Sequence, residues 1–470
     1  MVPAMVAESL ARPRLVGEDV EVPLVDGSSR RYVNMDYAAS SPTLVEVAQA
    51  VHGFMPYYSS VHRGAGFKSQ VSTAVYEGAR AAVHAFFQAR PDDTVIFTRN
   101  TTDSINLLAE SLAPGTSVVT FATEHHANLL PWQKGRHRVT YLPPPGSADE
   151  ALARLEEHLR QTPTDLVAVT GASNVTGELW PVAKLAGLAH AHGARILLDA
   201  AQLAPHYPVS VTDLEVDYLA VSGHKLYAPY GAGVLLGRPD WLAQSDPYMR
   251  GGGAVDFVTT TEVLWTSLPD RQEAGSPNVV GAAALGKALE VLQRYGMERV
   301  AEEELALAEY ARAQLGRVPG VEVYRLWDAG APRIGVLPFN VHGYSYSQVA
   351  AVLSAEYGIG VRHGCFCAHP LMVHVLQVDS GDVVQIRASF RQGTRPKVPG
   401  AVRASLGLGT TKEEVDYFVA SVSNLVAHGP RWHYEEDPRT GESSPKPDPR
   451  PWPSLGLTTN RERSSAAESS

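Results

Sequence analysis

The chain has 470 residues, 44% of them hydrophobic and 19% charged, enough for a sizeable core and for two or three domains rather than a disordered polymer. Its net charge of −10 offers no chain-wide basic field for nucleic acid, and no apolar run approaches the roughly 18 residues needed to span a bilayer. The opening residues, with Glu8, Arg12 and Arg14, lack the apolar core of a secretory leader, and two cysteines alone, Cys365 and Cys367, build no disulfide framework, so a cytoplasmic location is expected.

After an N-terminal segment, 1–31, short apolar and β-branched runs alternate with helix-like stretches. The runs are Val95–Phe97, Val118–Phe121, Val139–Leu142, Leu166–Val169, Ile196–Leu198, Tyr218–Val221 and Val234–Leu236. Between them, residues such as Gln70–Phe87 and Val182–His192 place apolar side chains at helical spacing. This rhythm predicts a mainly parallel seven-stranded sheet with helices on both faces over 32–278, with ligands at the carboxyl ends of its strands. From 279 to 428 the pattern turns helix-rich through Ala282–Tyr295 and Glu298–Leu315. Strands near Val321–Tyr324 and Ile334–Asn340 and helices at Tyr346–Tyr357 and Glu413–Val426 follow, so a smaller α+β domain is expected there. Residues 429–470, rich in Pro, Arg, Asp, Glu and Ser, read as a mobile tail, with Trp432 and Trp452 available to dock parts of it.

Two turns at predicted strand ends carry chemistry together. Lys225 in Ser222-Gly223-His224-Lys225 follows one run, and Asp199 in Asp199-Ala200-Ala201-Gln202 follows another. A lysine whose amine is partly desolvated can condense with an aldehyde, and an aspartate can hold a pyridine nitrogen protonated, which points to pyridoxal 5'-phosphate. Alone, Lys225 reads as a surface lysine, Thr101-Thr102 as an ordinary helix start and His125 as a core histidine. Their joint occurrence reverses that reading.

Several phrases in order resemble the cysteine desulfurases and selenocysteine lyases of the class V aminotransferase group, with the fold type I of pyridoxal phosphate transferases. They include Asn34-Met35-Asp36-Tyr37-Ala38-Ala39, Val61-His62-Arg63-Gly64, Asn100-Thr101-Thr102-Asp103, Glu124-His125-His126-Ala127-Asn128, Ser173-Asn174-Val175-Thr176-Gly177 and Arg271 to Asn278, across roughly Tyr32 to Val426. The resemblance implies a phosphate cup from Thr101, Thr102, Ser222 and His224. It places His125 on the pyridine ring, Gln202 as donor to the phenolic oxygen, and Asn174 on that oxygen or on the substrate. It further implies a homodimer whose partner lends Ser276 to the phosphate, and it draws His62 and Arg63 toward the substrate.

The phrase Arg362-His363-Gly364-Cys365-Phe366-Cys367-Ala368-His369-Pro370 resembles the desulfurase loop and selects Cys367 as nucleophile, with Arg362 and Arg403 on the substrate carboxylate. Three departures accompany it. Cys365 stands where histidine is usual, leaving open a relay, a modified nucleophile or a packed thiol. Arg387, in a phrase like that around Arg403, is a rival ligand, and residues 371–400 read as an insertion able to reshape the mouth. His363, Cys365, Cys367 and His369 also alternate as a set that zinc could use, although structural zinc sites favour wider cysteine pairs and no metal is assigned. The expected activity is conversion of L-cysteine, or a related amino acid, to alanine with sulfur passed to an enzyme cysteine and on to an acceptor protein. A pyridoxal phosphate C–S lyase, aminotransferase or epimerase of a specialised metabolite is the alternative. Neither a nucleic acid nor a membrane partner is expected.

Overall fold

Each of the seven apolar runs forms a five-residue strand, and together they build one sheet. The computed structural model describes residues 11–456 apart from Arg63, Lys134 and Arg395. Across the sheet the strands run Thr94–Thr98, Gly233–Gly237, Tyr218–Ser222, Arg195–Asp199, Leu166–Thr170, Ser117–Phe121 and Arg138–Leu142. Only Gly233–Gly237 is antiparallel to its neighbours. Four strands are buried along their whole length, as expected for a sheet covered on both faces.

Register places the chemistry. Thr170 pairs with Asp199 and Gly233 pairs with both Ser222 and Thr98, so the carboxyl ends of four strands meet along one edge. Gly233 is required at that point, because a Cβ there would lie 2.5 Å from Asn100 Cα in the turn that starts the helix Thr101–Ser111. That helix opens at Thr101 because Asn100 accepts from the Asp103 N–H and caps it.

A second sheet of four strands, Val321–Val323, Val336–Val341, Ala401–Ser405 and Arg362–Gly364, has its own core around Phe339, Val352, Leu353 and Phe418. Val33 and Met35 belong to this smaller core, since Val33–Asn34 pairs in parallel with Ile359–Gly360. The helix Val279–Tyr295, read from sequence as the start of the second domain, packs instead in the larger core against Val45–Phe54 and Phe67–Phe86. Its Ala284, Leu285, Ala288 and Leu292 form a stripe that the first layer of helices buries.

The expectation of a mobile tail over 429–470 is overturned for residues 429–456. Tyr434–Glu436 and Ser443–Pro445 form a hairpin against the helix Tyr346–Tyr357. Its anchor is Glu356, a carboxylate only 2% exposed, which accepts from the backbone N–H groups of Arg431 and Trp432, from Arg431 Nε and from Tyr434 Oη. Trp432 docks through Nε1–H to Pro447 O at 2.8 Å, while Trp452 is exposed. Polar composition hid this segment because one buried acid, rather than an apolar stripe, holds it. Residues 457–470 lie outside the described residues.

Candidate active site

At the carboxyl edge of the large sheet lies a cavity of about 470 Å³, a size suited to a small ligand. Thr101, Thr102, His125, Asn174, Asp199, Gln202, Ser222, His224, Lys225, Arg362, Cys367 and Arg403 all line it. Twelve of the fifteen site residues read from sequence therefore converge.

One end of the cavity is a helix N-terminus. Thr101 N–H donates to Ser222 Oγ at 2.8 Å, and the two hydroxyls lie 2.8 Å apart. Hydroxyls facing the first-turn N–H groups of a helix make an anion site. Lys225 is partly open to the cavity but closely surrounded by protein, and burial pulls its amine down to about 8 against the opposing pull of Asp199. Asp199 is itself buried, with its carboxyl pushed up by desolvation and relieved only in part by the Ala201 N–H and Lys225. Burial also lowers the His125 imidazole to about 3, so the ring stays neutral at working pH, and Ala127 N–H fixes its Nδ1 as an acceptor at 3.0 Å.

Opposite the aspartate, the small sheet presents two arginines. Arg362 and Arg403 are direct partners across antiparallel strands, so both guanidinium groups stand on one face. Burial lowers the pKa of Arg403 to about 10, and the like charge of Arg362 pushes the same way. Arg403 Nη1 donates to Asn174 O at 2.8 Å, Nη2 lies 3.4 Å from Asp36 Oδ1, and Nε is buried without a partner. Two facing cations with an unspent N–H suit a carboxylate.

The cysteine loop closes the third side. Phe366 and Cys367 both hold left-handed backbone, φ 54° each, which costs about 1–2 kcal/mol per residue outside glycine. Two hydrogen bonds fix the turn: Asn174 Nδ2 donates to Phe366 O at 2.8 Å, and His126 N–H donates to Cys367 O at 2.7 Å. Cys367 is exposed and close enough to Lys225 and Arg403 to interact with their charges. Asn174 thus spends its amide N–H on the loop, a use its motif did not reveal. Cys365 is half-buried against Val175 and Phe366.

Two predicted residues, His62 and Ser276, do not join. His62, at positive φ, bonds Glu77 at 2.9 Å and lines a separate cavity of about 620 Å³ with Gly252, Gly253 and Ser276. Arg63 lies outside the described residues. Arg387, the rival of Arg403, is exposed on the helix Ser380–Arg391, and no described residue of 371–400 lines the site. Nor do the alternating cysteines and histidines converge: His363 pairs with Glu442 and His369 with His126, and among the described residues no group of three or more suitable side chains could hold a metal ion.

Sequence reasoning missed Asp36, the ring of Phe366 lying 5.0 Å from the Arg403 guanidinium, the stacked His126–His369 pair at the mouth, and Glu124. Glu124 is buried, pushed up to about 8, and ties Asn128 to the Thr170 N–H. Asp36 and Glu124 sit inside quoted motifs, but nothing in their local spacing announces a role.

The residues fit pyridoxal 5'-phosphate: a buried acid short of countercharge, a deprotonation-prone lysine, an anion site, and Gln202, whose Nε2 spends one of its two N–H groups on Ala38 O. The sequence pattern of the family described as Aminotransferase class-V matches residues 33–418. A probable cysteine desulfurase of Halalkalibacterium halodurans is 36% identical over 402 residues, 83% of this chain and 92% of the relative.

The chain belongs to the cysteine desulfurase family.

Solved structures of cysteine desulfurases agree. CsdA of Escherichia coli superposes with a TM-score of 0.71 at 33% identity, covering 84% of this chain and 94% of that one. The apo enzyme of Thermococcus onnurineus NA1 gives 0.75 at 31%, covering 89% and 99%. The fold is thus the fold type I architecture of pyridoxal phosphate enzymes.

Proposed function

We propose that this protein is a pyridoxal phosphate-dependent cysteine desulfurase that converts L-cysteine to L-alanine and retains the sulfur as a persulfide on Cys367. The observation that carries the reading is an exposed thiol in one cavity with Lys225, Asp199 and a facing arginine pair.

Thr101, Thr102, Ser222 and His224 would hold the phosphate, Asp199 the ring nitrogen, His125 the ring face and Gln202 the phenolic oxygen. The bound cofactor supplies an electron sink at the substrate α-carbon. Arg362 and Arg403 clamp the substrate carboxylate and so orient the α-hydrogen and the sulfur. Lys225 Nζ, with its proton affinity lowered to about 8, takes the α-proton near neutral pH. Cys367 Sγ bonds to the substrate sulfur as the carbon–sulfur bond breaks, and the carbon keeps that electron pair and is protonated to the methyl of alanine. Cysteine and a thiol become alanine and a persulfide, with no outside oxidant.

A homodimer is part of the proposal. Ser276 lines a separate cavity rather than its own chain's site, which suits a hydroxyl lent to a partner. The hairpin Val255–Val258 with Val263–Trp265 exposes Phe257, Val258 and Leu264, an apolar surface a second copy would cover. Among the described residues no helix is long and apolar enough to cross a membrane, and we place the enzyme in the cytoplasm, where its thiols stay reduced.

Purified enzyme given L-cysteine and a thiol reductant should release alanine and sulfide at equal rates, with both lost in Cys367→Ala. Undiminished turnover in that variant would overturn the proposal and favour a lyase.

A further inference from the structure

We propose that the outer face of the helix Ser380–Arg391 is the docking surface for an acidic protein whose thiol takes the sulfur from Cys367. This rests on the desulfurase reading above.

Position comes first. The helix His369–Val375 begins at the site's mouth, where His369 stacks on His126 with ring centroids 4.9 Å apart, and Ser380–Arg391 follows four residues later. The returning segment presses against the strand that feeds the cysteine loop. Tyr346 Oη donates to Val398 O at 2.9 Å, and a Cβ on Gly400 would lie 2.9 Å from the Gly364 carbonyl carbon. Both ends of the segment that carries this helix are therefore anchored beside the cysteine loop.

Surface chemistry comes second. None of the helix's residues is buried. Asp382, Gln385, Ile386 and Ser389 turn toward a groove of about 780 Å³ beneath it. The opposite side carries Val384, Arg387, Ala388 and Arg391 at i, i+3, i+4 and i+7, one continuous helical face. Val384 is 62% exposed and Phe390 is 49% exposed. Arg387, Arg391 and Lys397 make no ion pair with any described residue. From Val383 to Gly400 there are four cations and no acid, in a chain whose net charge is −10.

An isolated apolar and basic face on an acidic molecule selects its partner twice. It attracts an acidic surface with an apolar spot, and the rest of the chain repels that surface everywhere else. Sulfur chemistry supplies the need, since a persulfide on Cys367 regenerates the thiol only when a second thiol attacks its outer sulfur. Acceptor sulfur to persulfide sulfur is the bond formed, the Cys367 sulfur–sulfur bond is the one broken, and the proton passes to the departing Cys367 thiolate.

The test loads holoenzyme with one equivalent of L-cysteine, verifies by intact mass that Cys367 has gained one sulfur atom, and follows its discharge. Three acceptors are compared: a glutamate-rich peptide with one cysteine and two leucines, a lysine-rich peptide of the same design, and dithiothreitol. The acidic peptide should react faster than the basic one by on the order of tenfold at low salt, the gap closing as salt rises. Arg387→Glu with Arg391→Glu should erase or invert that preference and leave both loading and dithiothreitol discharge unchanged. Equal rates for the two peptides, or a preference that survives charge reversal, would overturn the docking surface while leaving the desulfurase reading intact. Failure of the wild type to load sulfur would overturn both. Dissociation of the dimer by the same double substitution, seen by sedimentation, would assign the face to a second copy and reject the acceptor.

Discussion

Lys225 meets two demands that water would not allow together: an amine basic enough to take a proton and yet largely unprotonated near neutrality. Burial lowers its proton affinity to about 8 and Asp199 holds it from falling further. Asp199 is the larger of the two charges, with Cys367, that oppose burial, so in Asp199→Asn the midpoint moves below 8. The rate at which apoenzyme recaptures pyridoxal 5'-phosphate should rise through pH 8 in the wild type and reach its plateau at lower pH in the variant, followed by the absorbance of the bound cofactor. Arg403, the proposed carboxylate ligand, presents a planar fork braced by Asn174 O and Asp36, which an ammonium cannot copy. Arg403→Lys should raise KM for L-cysteine by on the order of 10- to 100-fold with a smaller change in kcat, whereas Arg387→Lys should leave both unchanged. The choice between these arginines was open in the sequence because each follows a similar phrase. Strand register favours Arg403, by setting it opposite Arg362 in the cavity, whereas Arg387 lies exposed outside it. Asn174 was legible as a site residue, but its bond to Phe366 O was not, since that carbonyl is aimed by two left-handed residues that no propensity predicts.

At the level of elements, the seven strands were legible because full burial on both faces demands near-continuous apolar runs. Turn chemistry then carries the site. Asn100, Thr101 and Gly233 form one unit, with the glycine clearing space for the cap that starts the helix. Gly233→Ala should destabilise the protein by about 1–3 kcal/mol, since neither main chain can yield freely, and should weaken cofactor retention on dialysis. Asn100→Ala, which removes the cap without a clash, should cost about 1 kcal/mol by denaturant titration. The helix Val279–Tyr295 was legible as a helix but was expected in the smaller domain, whereas it packs in the larger core, because its apolar stripe says that it packs and not against what.

Across the whole molecule, the terminal hairpin closes a loop of dependence that runs from the chain's end to its chemistry. Glu356 is the hinge of that dependence. Ending the chain at His428 would strip four donors from Glu356 together with the hairpin that covers it, so water replaces part of what is lost and the net cost is about 1–3 kcal/mol. The truncated chain should melt below the full one, and Glu356→Leu should restore part of the difference in the truncated background only. Composition could not disclose this, since the segment is polar and its anchor lies some seventy residues away in sequence. The fastening of the cysteine turn has a further consequence. With the carbonyls of Phe366 and Cys367 both tied down, the sulfur of Cys367 can travel only as far as rotation about its own side-chain bonds permits. Sulfur held there, as proposed, is therefore not carried outward on a swinging arm; the accepting thiol must enter the mouth, and a recipient too blunt to enter is refused by geometry alone.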